Sequence, residues 1–192
     1  STISEWLINY EGGFTKRGLI GQISIFISKI FSIELRESIF IFQTIVVGTY
    51  FILLFHFLKN IKSERLFLLA IFTPIFILYP VAEIEVLARK EIFVFISLIV
   101  YVFIPSKKLI YDVSYKLFIL PLVILIWEPV IFFFIYFFSI DIIKYRFTKI
   151  NSAFLKNILF YIPAISLAIF IALNPMSIEQ HDEMKKVLKN EF

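Results

Sequence analysis

Long apolar runs separated by short polar segments dominate the chain after residue 38. A hydrocarbon core about 30 Å thick is crossed by about 20 helical residues. On this criterion we predict five membrane spans, at residues 39–58, 66–82, 92–104, 117–138 and 158–173. Prolines inside the second, fourth and fifth runs predict kinks, because neighbouring helices can satisfy the carbonyl groups that proline leaves unpaired.

Two further helices are predicted outside these runs. Between residues 19 and 33, apolar side chains recur with the i, i+3, i+4, i+7 spacing of a helical stripe, but polar residues occupy more than one face. This pattern favours an interfacial or re-entrant helix over a span. Near the C-terminus, Ser177 and Gln180 form a capping box, which predicts a short amphipathic helix from about Ile178.

The elements together predict an all-α fold, a polytopic integral membrane helical bundle of about five transmembrane helices. We divide it into a polar, glycine-rich loop with an interfacial helix (1–38), a transmembrane bundle (39–174) and a soluble tail helix (175–192). The apolar runs lack the period-two alternation of a membrane barrel. Because the chain begins with Ser1 and shows no signal-peptide pattern, we expect a piece of a longer protein.

Composition supports lipid as the main solvent of the chain. Hydrophobic residues make up 60% of the sequence and the mean hydropathy is +0.90, whereas soluble domains are about 45–50% apolar. The absence of cysteine excludes disulfides and thiolate metal sites, and the two histidines are far apart, so we expect neither a metal nor a cofactor. The net charge of +4 is dispersed and the aromatics lie inside apolar runs, which indicates membrane anchoring and no nucleic-acid partner.

Five spans would divide the polar segments between two faces. The first face would carry residues 1–38, 83–91 and 139–157, and the second would carry 59–65, 105–116 and the tail. Lys and Arg are shared almost evenly, so the positive-inside rule does not orient the chain. The plain cationic turns of the second face are typical of cytoplasmic anchors, so we expect the first face to point outward. Asp141 and Lys144 are predicted to lie in a solvated loop.

Residues 11–22 contain a cluster of glycines around two cations: Gly12, Gly13, Gly18 and Gly21, with Lys16 and Arg17 between them. Glycine allows a ligand to approach the backbone closely, and free N–H groups at a helix start attract anions. Lysine and arginine add charge-assisted donors to phosphate. The stretch therefore predicts a phosphate or diphosphate loop. The alternative is a surface turn with cationic membrane anchors.

A second charged segment separates the second and third runs. Residues 83–91 carry five charges, and Glu85 and Arg89 would be i, i+4 partners on a helix. Arg89 and Lys90 would then lie at the lip of the third run. The segment is either a hairpin turn whose charges mark the interface or part of a polar cavity that reaches into the membrane.

Glu128 lies near the middle of the fourth run. An ionisable group at that depth costs about 2.5–3.5 kcal/mol on insertion scales, so it is a functional candidate by default. It would either be neutral or pair with a cation from another helix. Two other interpretations stay open: a protonated structural glutamate bonded to a neighbouring helix, or a misplaced span in which Trp127 marks the interface.

Two motifs carry a resemblance to a family. Phe14-Thr15-Lys16-Arg17-Gly18-Leu19-Ile20-Gly21 resembles an F-x-K/R-R-G-L-x-G stretch of multi-span bacterial surface-polysaccharide proteins, the O-antigen-polymerase-like or C-type-glycosyltransferase-like proteins. The stretch 88–92, with Ala88 in place of glycine, resembles a G-R-K-[DE] motif that opens a later span in the same proteins.

This resemblance implies a bacterial inner-membrane enzyme, a glycan polymerase or glycosyltransferase, whose substrate is a lipid-diphosphate-linked oligosaccharide. Membrane lipids and other membrane proteins would be its partners. The diphosphate would be held by residues of the two motifs: Lys16, Arg17, Gly18, Arg89 and Lys90. The carboxylate that accepts the proton of the sugar acceptor would be Glu11, Glu83 or Glu85.

Two alternatives from other functional classes remain. A non-catalytic membrane subunit or small transporter would use Glu128 as a buried ion or proton site. A scaffold subunit of a respiratory or translocation complex would need neither a diphosphate site nor an ion site at Glu128.

Overall fold

The computed structural model describes residues 5–59, 89–106, 108–146 and 152–189. Every regular element in these ranges is helical, which confirms the all-α prediction there. In chain order the elements are α1 (Gly18–Phe31), α2 (Leu35–Lys59), α3 (Ile92–Phe103), α4 (Leu109–Ser114), a π-helical segment (Tyr115–Ile119), α5 (Leu120–Ile126), a 3-10 helix (Glu128–Phe133), α6 (Phe134–Tyr145), α7 (Ser152–Leu159), α8 (Ile162–Leu173) and α9 (Ile178–Lys189).

Two helices are long and apolar enough to cross a membrane. They are Leu35–Lys59, which contains the first predicted span, and Leu109–Ile126, which joins α4, the π-helical segment and α5. Helices α7 and α8 add a third if the pair, bent by 42°, is one broken span. The prediction of about five spans is not supported. The third predicted span corresponds to α3, which has only 12 residues, and the second, 66–82, lies outside the described residues.

The fourth predicted span is wrong as a continuous helix. Helix α5 ends at Ile126, and Trp127 has an extended backbone with φ −154° and ψ 98°. The chain resumes in the 3-10 helix and α6, which run back towards the start of α4. The first turn of α4 and the last turn of α6 meet there, since Lys144 Nζ lies 3.3 Å from Asp112 Oδ1. Residues 109–145 therefore form a helical hairpin, and Glu128 lies at its turn, not within a span.

Proline explains the irregularities along this hairpin. Pro121 has no N–H to donate to the carbonyl four residues earlier. The chain widens into the π-helical segment just before it, where the Leu120 N–H donates to the Tyr115 carbonyl. Pro129 occupies the first turn of the 3-10 helix, where no N–H is needed.

The extra reversal at Trp127 changes the faces assigned to the later segments. The tail lies with the N-terminal loop, because Gly12 packs so closely on α9 that a Cβ there would lie 2.1 Å from the Gln180 carbonyl oxygen. Asp141 and Lys144 lie instead with Asp112 at the opposite end of the bundle. The predicted placements of 139–157 and of the tail are therefore wrong. We call the two ends the loop end and the network end.

Helix α3 joins the two hydrophobic cores of the described structure. Ile92, Phe95 and Ile99 pack with α1, α2 and the fully buried Trp6. Val94 and Tyr101 pack with α5, α6 and α8. Large apolar side chains cover the outer surface, including Phe40, Ile52, Phe55, Phe132, Ile143 and Leu173. A surface of this kind suits contact with lipid.

Both predicted terminal helices form. In the capping box, the Ser177 N–H donates to Gln180 Oε1 at 2.9 Å and the Gln180 N–H donates to Ser177 Oγ at 3.2 Å. Helix α1 begins at Gly18, directly after Arg17. Its interfacial or re-entrant position, and the division into three regions, stay predictions.

The sidedness of the bundle is testable by labelling, because the native chain has no cysteine. We expect single cysteines at Lys16 and Lys185, both exposed at the loop end, to react with a membrane-impermeant maleimide from the same side of a vesicle. A cysteine at Ser106 should react only from the other side. Labelling of Lys16→Cys and Lys185→Cys from opposite sides would contradict this fold.

Candidate functional site

Arg17 and Glu128 form a bidentate ion pair at the loop end. Arg17 Nε donates to Glu128 Oε2 at 2.8 Å and Nη2 donates to Oε1 at 3.0 Å. This hydrogen bonding raises the pKa of Arg17. Glu128 thus pairs with a cation, one of the two states that the sequence predicted for it. Because both of its oxygens are engaged, the contact weighs against Glu128 as an ion or proton site.

Lys90 is a buried cation next to this pair. Its side chain is fully buried, and Nζ donates to the backbone carbonyl of Arg17 at 2.6 Å. Burial lowers the pKa of Lys90 to about 8, and the charge of Arg17 adds to the effect. An ammonium group has three N–H donors. Within the described ranges only the Arg17 carbonyl accepts from it, so two donors remain available there.

Arg89 completes the set of cations at the loop end. Its Nη2 lies 3.3 Å from Glu5 Oε1 and 3.3 Å from Glu91 Oε1, with the side chain 40% exposed. Arg17, Arg89 and Lys90 therefore converge from segments more than seventy residues apart, as the sequence predicted. We call this group the cationic junction. Three carboxylates, those of Glu5, Glu91 and Glu128, lie among its cations.

Several buried oxygens near the junction have unused hydrogen-bonding capacity. Tyr10 Oη, Thr15 Oγ1 and Glu91 Oε2 are buried and have no hydrogen-bond partner in the described part of the chain. They belong to the same segments as Arg17 and Arg89. Because buried polar atoms are almost always hydrogen-bonded, this concentration indicates a place suited to a polar ligand.

The clustered glycines have a packing role in this fold. A Cβ at Gly12 would lie 2.1 Å from the Gln180 carbonyl oxygen, and one at Gly21 would lie 2.0 Å from the Ile8 carbonyl oxygen. At Gly18 it would meet the Tyr10 ring at 2.3 Å. Gly13 has a φ of 112°, which favours glycine. The glycines let the loop pack tightly on itself and on α9, and their predicted role as an anion cradle stays a prediction.

The other predicted site residues are distributed differently. Lys16 is exposed. Glu11 accepts a hydrogen bond from Gln22 Nε2 at 3.1 Å and lies 3.7 Å from Lys29 Nζ, so its contacts are with α1. Glu83 and Glu85 lie outside the described residues.

A second polar site, which the sequence patterns did not predict, lies at the network end. Lys116 Nζ is 2.6 Å from Asp112 Oδ2 and 3.0 Å from Asp141 Oδ2, and it donates to Asn157 Oδ1. Its members lie on α3, on four later elements and in the turn between α7 and α8: Tyr101, Asp112, Lys116, Asp141, Lys144, Asn157 and Tyr161. We call it the ionic network.

The network contradicts the prediction of a solvated loop at Asp141 and Lys144. Asp141 is only 3% exposed. The Tyr101 hydroxyl lies 2.8 Å from Asp112 Oδ1 and also contacts Asp141, while the Tyr161 hydroxyl donates to Asp141 Oδ2 at 2.6 Å. Two carboxylates and two ammonium groups balance their charges, which is the condition for burying them. The i, i+4 pair of Asp112 and Lys116 was the signal in the sequence.

Comparisons with protein-family models, curated proteins and solved structures gave no match to this chain. In the described ranges no group of three or more histidine, aspartate or glutamate side chains is placed to hold a metal ion. The cationic junction and the ionic network are the two charged clusters that we describe in these ranges.

A double-mutant cycle measures the junction pair. We expect Arg17→Met and Glu128→Gln to show a coupling energy of about 1–3 kcal/mol in unfolding from nonionic micelles, because the pair is bidentate and partly buried. The matched control is the exposed pair of Lys29 and Glu11, for which the coupling should stay below about 0.5 kcal/mol. Equal coupling in both cycles would show that the Arg17 contact does not hold the fold together.

The lowered pKa of Lys90 predicts how the stability of the folded protein changes with pH. Its folded-state pKa of about 8 lies below the ordinary 10.5, so between these values the unfolded chain binds more protons and stability rises with pH. The slope approaches about 1.4 kcal/mol per pH unit. Lys90→Met should reduce the rise from pH 8 to about 9.5, whereas exposed Lys16→Met should leave it unchanged. The titration should end at about pH 9.5. Burial raises the pKa of Tyr10 to about 12, so above pH 10 the folded chain binds more protons than the unfolded chain and stability falls with pH. A slope unchanged in Lys90→Met would refute the assignment.

Proposed function

We propose that this protein is a membrane-embedded glycan polymerase or glycosyltransferase of bacterial surface-polysaccharide assembly, and that the cationic junction binds the diphosphate of its lipid-linked sugar. The observation that carries the proposal is the convergence of Arg17, Arg89 and Lys90 at one end of an apolar helical bundle. The two segments that meet there are also the two that resemble motifs of such proteins.

The chemistry of the junction suits a diphosphate. Phosphate oxygens only accept hydrogen bonds, and they match the planar donor fork of arginine and the point charge of lysine. Lys90 has donors that the described residues leave unused. Arg17 and Arg89 now face glutamates, so a diphosphate would exchange with those carboxylates. The ion pairs thereby neutralise the cations until the substrate arrives.

The proposed transfer step is a substitution at the sugar. The acceptor hydroxyl attacks the anomeric carbon, and the bond from that carbon to the diphosphate oxygen breaks. The lipid diphosphate leaves with the bonding electron pair, while a carboxylate takes the hydroxyl proton. The resemblance assigns this carboxylate to Glu11, Glu83 or Glu85. We add Glu91 as a candidate for this role. In support, it lies beside Arg89 and its Oε2 is unpaired in the described ranges.

The apolar outer surface favours the remaining parts of the proposal. The lipid of the substrate would lie along the exposed Phe, Ile and Leu side chains of the helices. We place the protein in the inner membrane of a bacterium, where lipid-linked oligosaccharides and other membrane proteins would be its partners.

Binding is tested with farnesyl diphosphate, titrated into the full chain in nonionic detergent and followed by native mass spectrometry. Lys90→Met and Arg89→Gln should each weaken binding about tenfold or more, because each removes a charged donor. Exposed Lys29→Met is the control and should bind normally. Farnesol that binds as well as farnesyl diphosphate, or variants that bind like the wild type, would exclude a diphosphate site.

Transfer is tested separately by the release of polyprenyl diphosphate from polyprenyl-diphosphate-linked N-acetylglucosamine. Glu91→Gln should lower the rate about 100-fold or more, as expected for loss of general-base catalysis, and leave substrate binding within about twofold. Loss of binding in Glu91→Gln, with no separate effect on rate, would assign Glu91 a structural role.

A further inference from the structure

A cavity of ≈ 430 Å³ adjoins the ionic network on the side of α7. Its size lies in the range of about 300–1,000 Å³ that is typical of small-ligand sites. Leu109, Ala153 and Phe160 form its apolar wall. Polar groups come from Asp112, Tyr145, Lys156 and Asn157. The cavity lies at the network end, so it is separate from the cationic junction.

Asn157 lines this cavity and contributes an amide group to it. The Lys116 ammonium can only donate, so the Asn157 atom facing it must be the carbonyl oxygen Oδ1, which fixes the orientation of the amide. The N–H₂ group therefore points away from Lys116. Within the part of the chain that the structure describes it has no acceptor, although the residue is only 9% exposed.

Lys156 is the second available donor of the cavity. Its side chain is exposed, adjacent to Asn157 on α7, and makes no ion pair with the residues of the described ranges. The carboxylate of the cavity is already engaged. Asp112 accepts from Lys116, Lys144 and Tyr101. The Tyr145 hydroxyl also interacts with Asp112, so neither group is available to a ligand. In the cavity and the adjoining network together, two aspartates, Asp112 and Asp141, therefore face three lysines: Lys116, Lys144 and Lys156.

We propose that this cavity binds an amphipathic anion, a carboxylate or phosphate head with a short apolar group, through Lys156 and the Asn157 amide. Both available polar groups are donors, so the ligand must be an acceptor. The excess positive charge selects an anion. The wall of Leu109, Ala153 and Phe160 contacts the apolar part. Such a head group belongs either to a soluble organic acid or to an anionic lipid.

The test separates these two sources. Hexanoate is titrated by calorimetry into the full chain in nonionic detergent, with hexyltrimethylammonium as the cationic counterpart. In a second arm, native mass spectrometry compares bound phosphatidylglycerol with bound phosphatidylcholine. Hexanoate binding assigns the site to soluble acids, and preferential phosphatidylglycerol binding assigns it to lipid head groups. If hexanoate does not bind and phosphatidylglycerol is not preferred, the proposal is refuted.

Two variants tie the binding to the cavity. Lys156→Met removes the charge of an exposed side chain and should weaken anion binding about tenfold or more. Asn157→Asp keeps an oxygen for Lys116 but replaces the cavity donors with a carboxylate, so it should abolish binding. Exposed Lys186→Met on α9 is the control. Anion binding that survives both changes in a folded protein, as judged by circular dichroism, would refute the site.

Discussion

Burial of helix α3 on both sides is the constraint on which the rest of the structure depends. Its apolar residues join the two hydrophobic cores, so the groups that carry or bind charge lie near its ends, Lys90 just before the helix and Tyr101 in its last turn. Between them, the buried Ser97 pairs with the Tyr115 hydroxyl. Lys90 and Tyr101 are about 16 Å apart at about 1.5 Å per residue, less than the hydrocarbon thickness of about 30 Å. Water therefore need not reach both ends at once, and the charges at each end are neutralised by groups of the protein itself.

The two ends neutralise their charges in different ways. At the network end, Lys116 donates to Asp112 and Asn157 and forms an ion pair with Asp141, and both aspartates are held by several donors. At the loop end, Lys90 donates to one backbone carbonyl in the described structure, and Glu91 keeps an unpaired oxygen. Complete pairing of the buried charges favours a unique packing of helices, whereas incomplete pairing leaves capacity for a ligand.

The sequence predicted the parts that depend on local pattern. Hydrophobic periodicity predicted α1, and the capping box of Ser177 and Gln180 predicted α9. The apolar run at 39–58 predicted most of α2. The convergence of Arg17 and Arg89 was also anticipated. The hairpin turn was missed because the apolar run continues on both sides of Glu128 and Pro129, so hydropathy alone reads it as one span. The network was missed because its members are far apart in the sequence and each charge by itself resembles a membrane anchor.

The turn at Trp127 links the two sites physically. It returns α6 to the network end, which brings Asp141 to Lys116, and it presents Glu128 to Arg17 at the loop end. A straight span across residues 117–138 would leave Lys116 with Asp112 alone and would place Glu128 in lipid without a cation. One local break in a helix, encoded by adjacent glutamate and proline, thus supplies a counter-charge at each end of the bundle. Because Glu128 neutralises Arg17 from this turn, displacement of that carboxylate by a ligand at the loop end would act directly on the hairpin that carries the network.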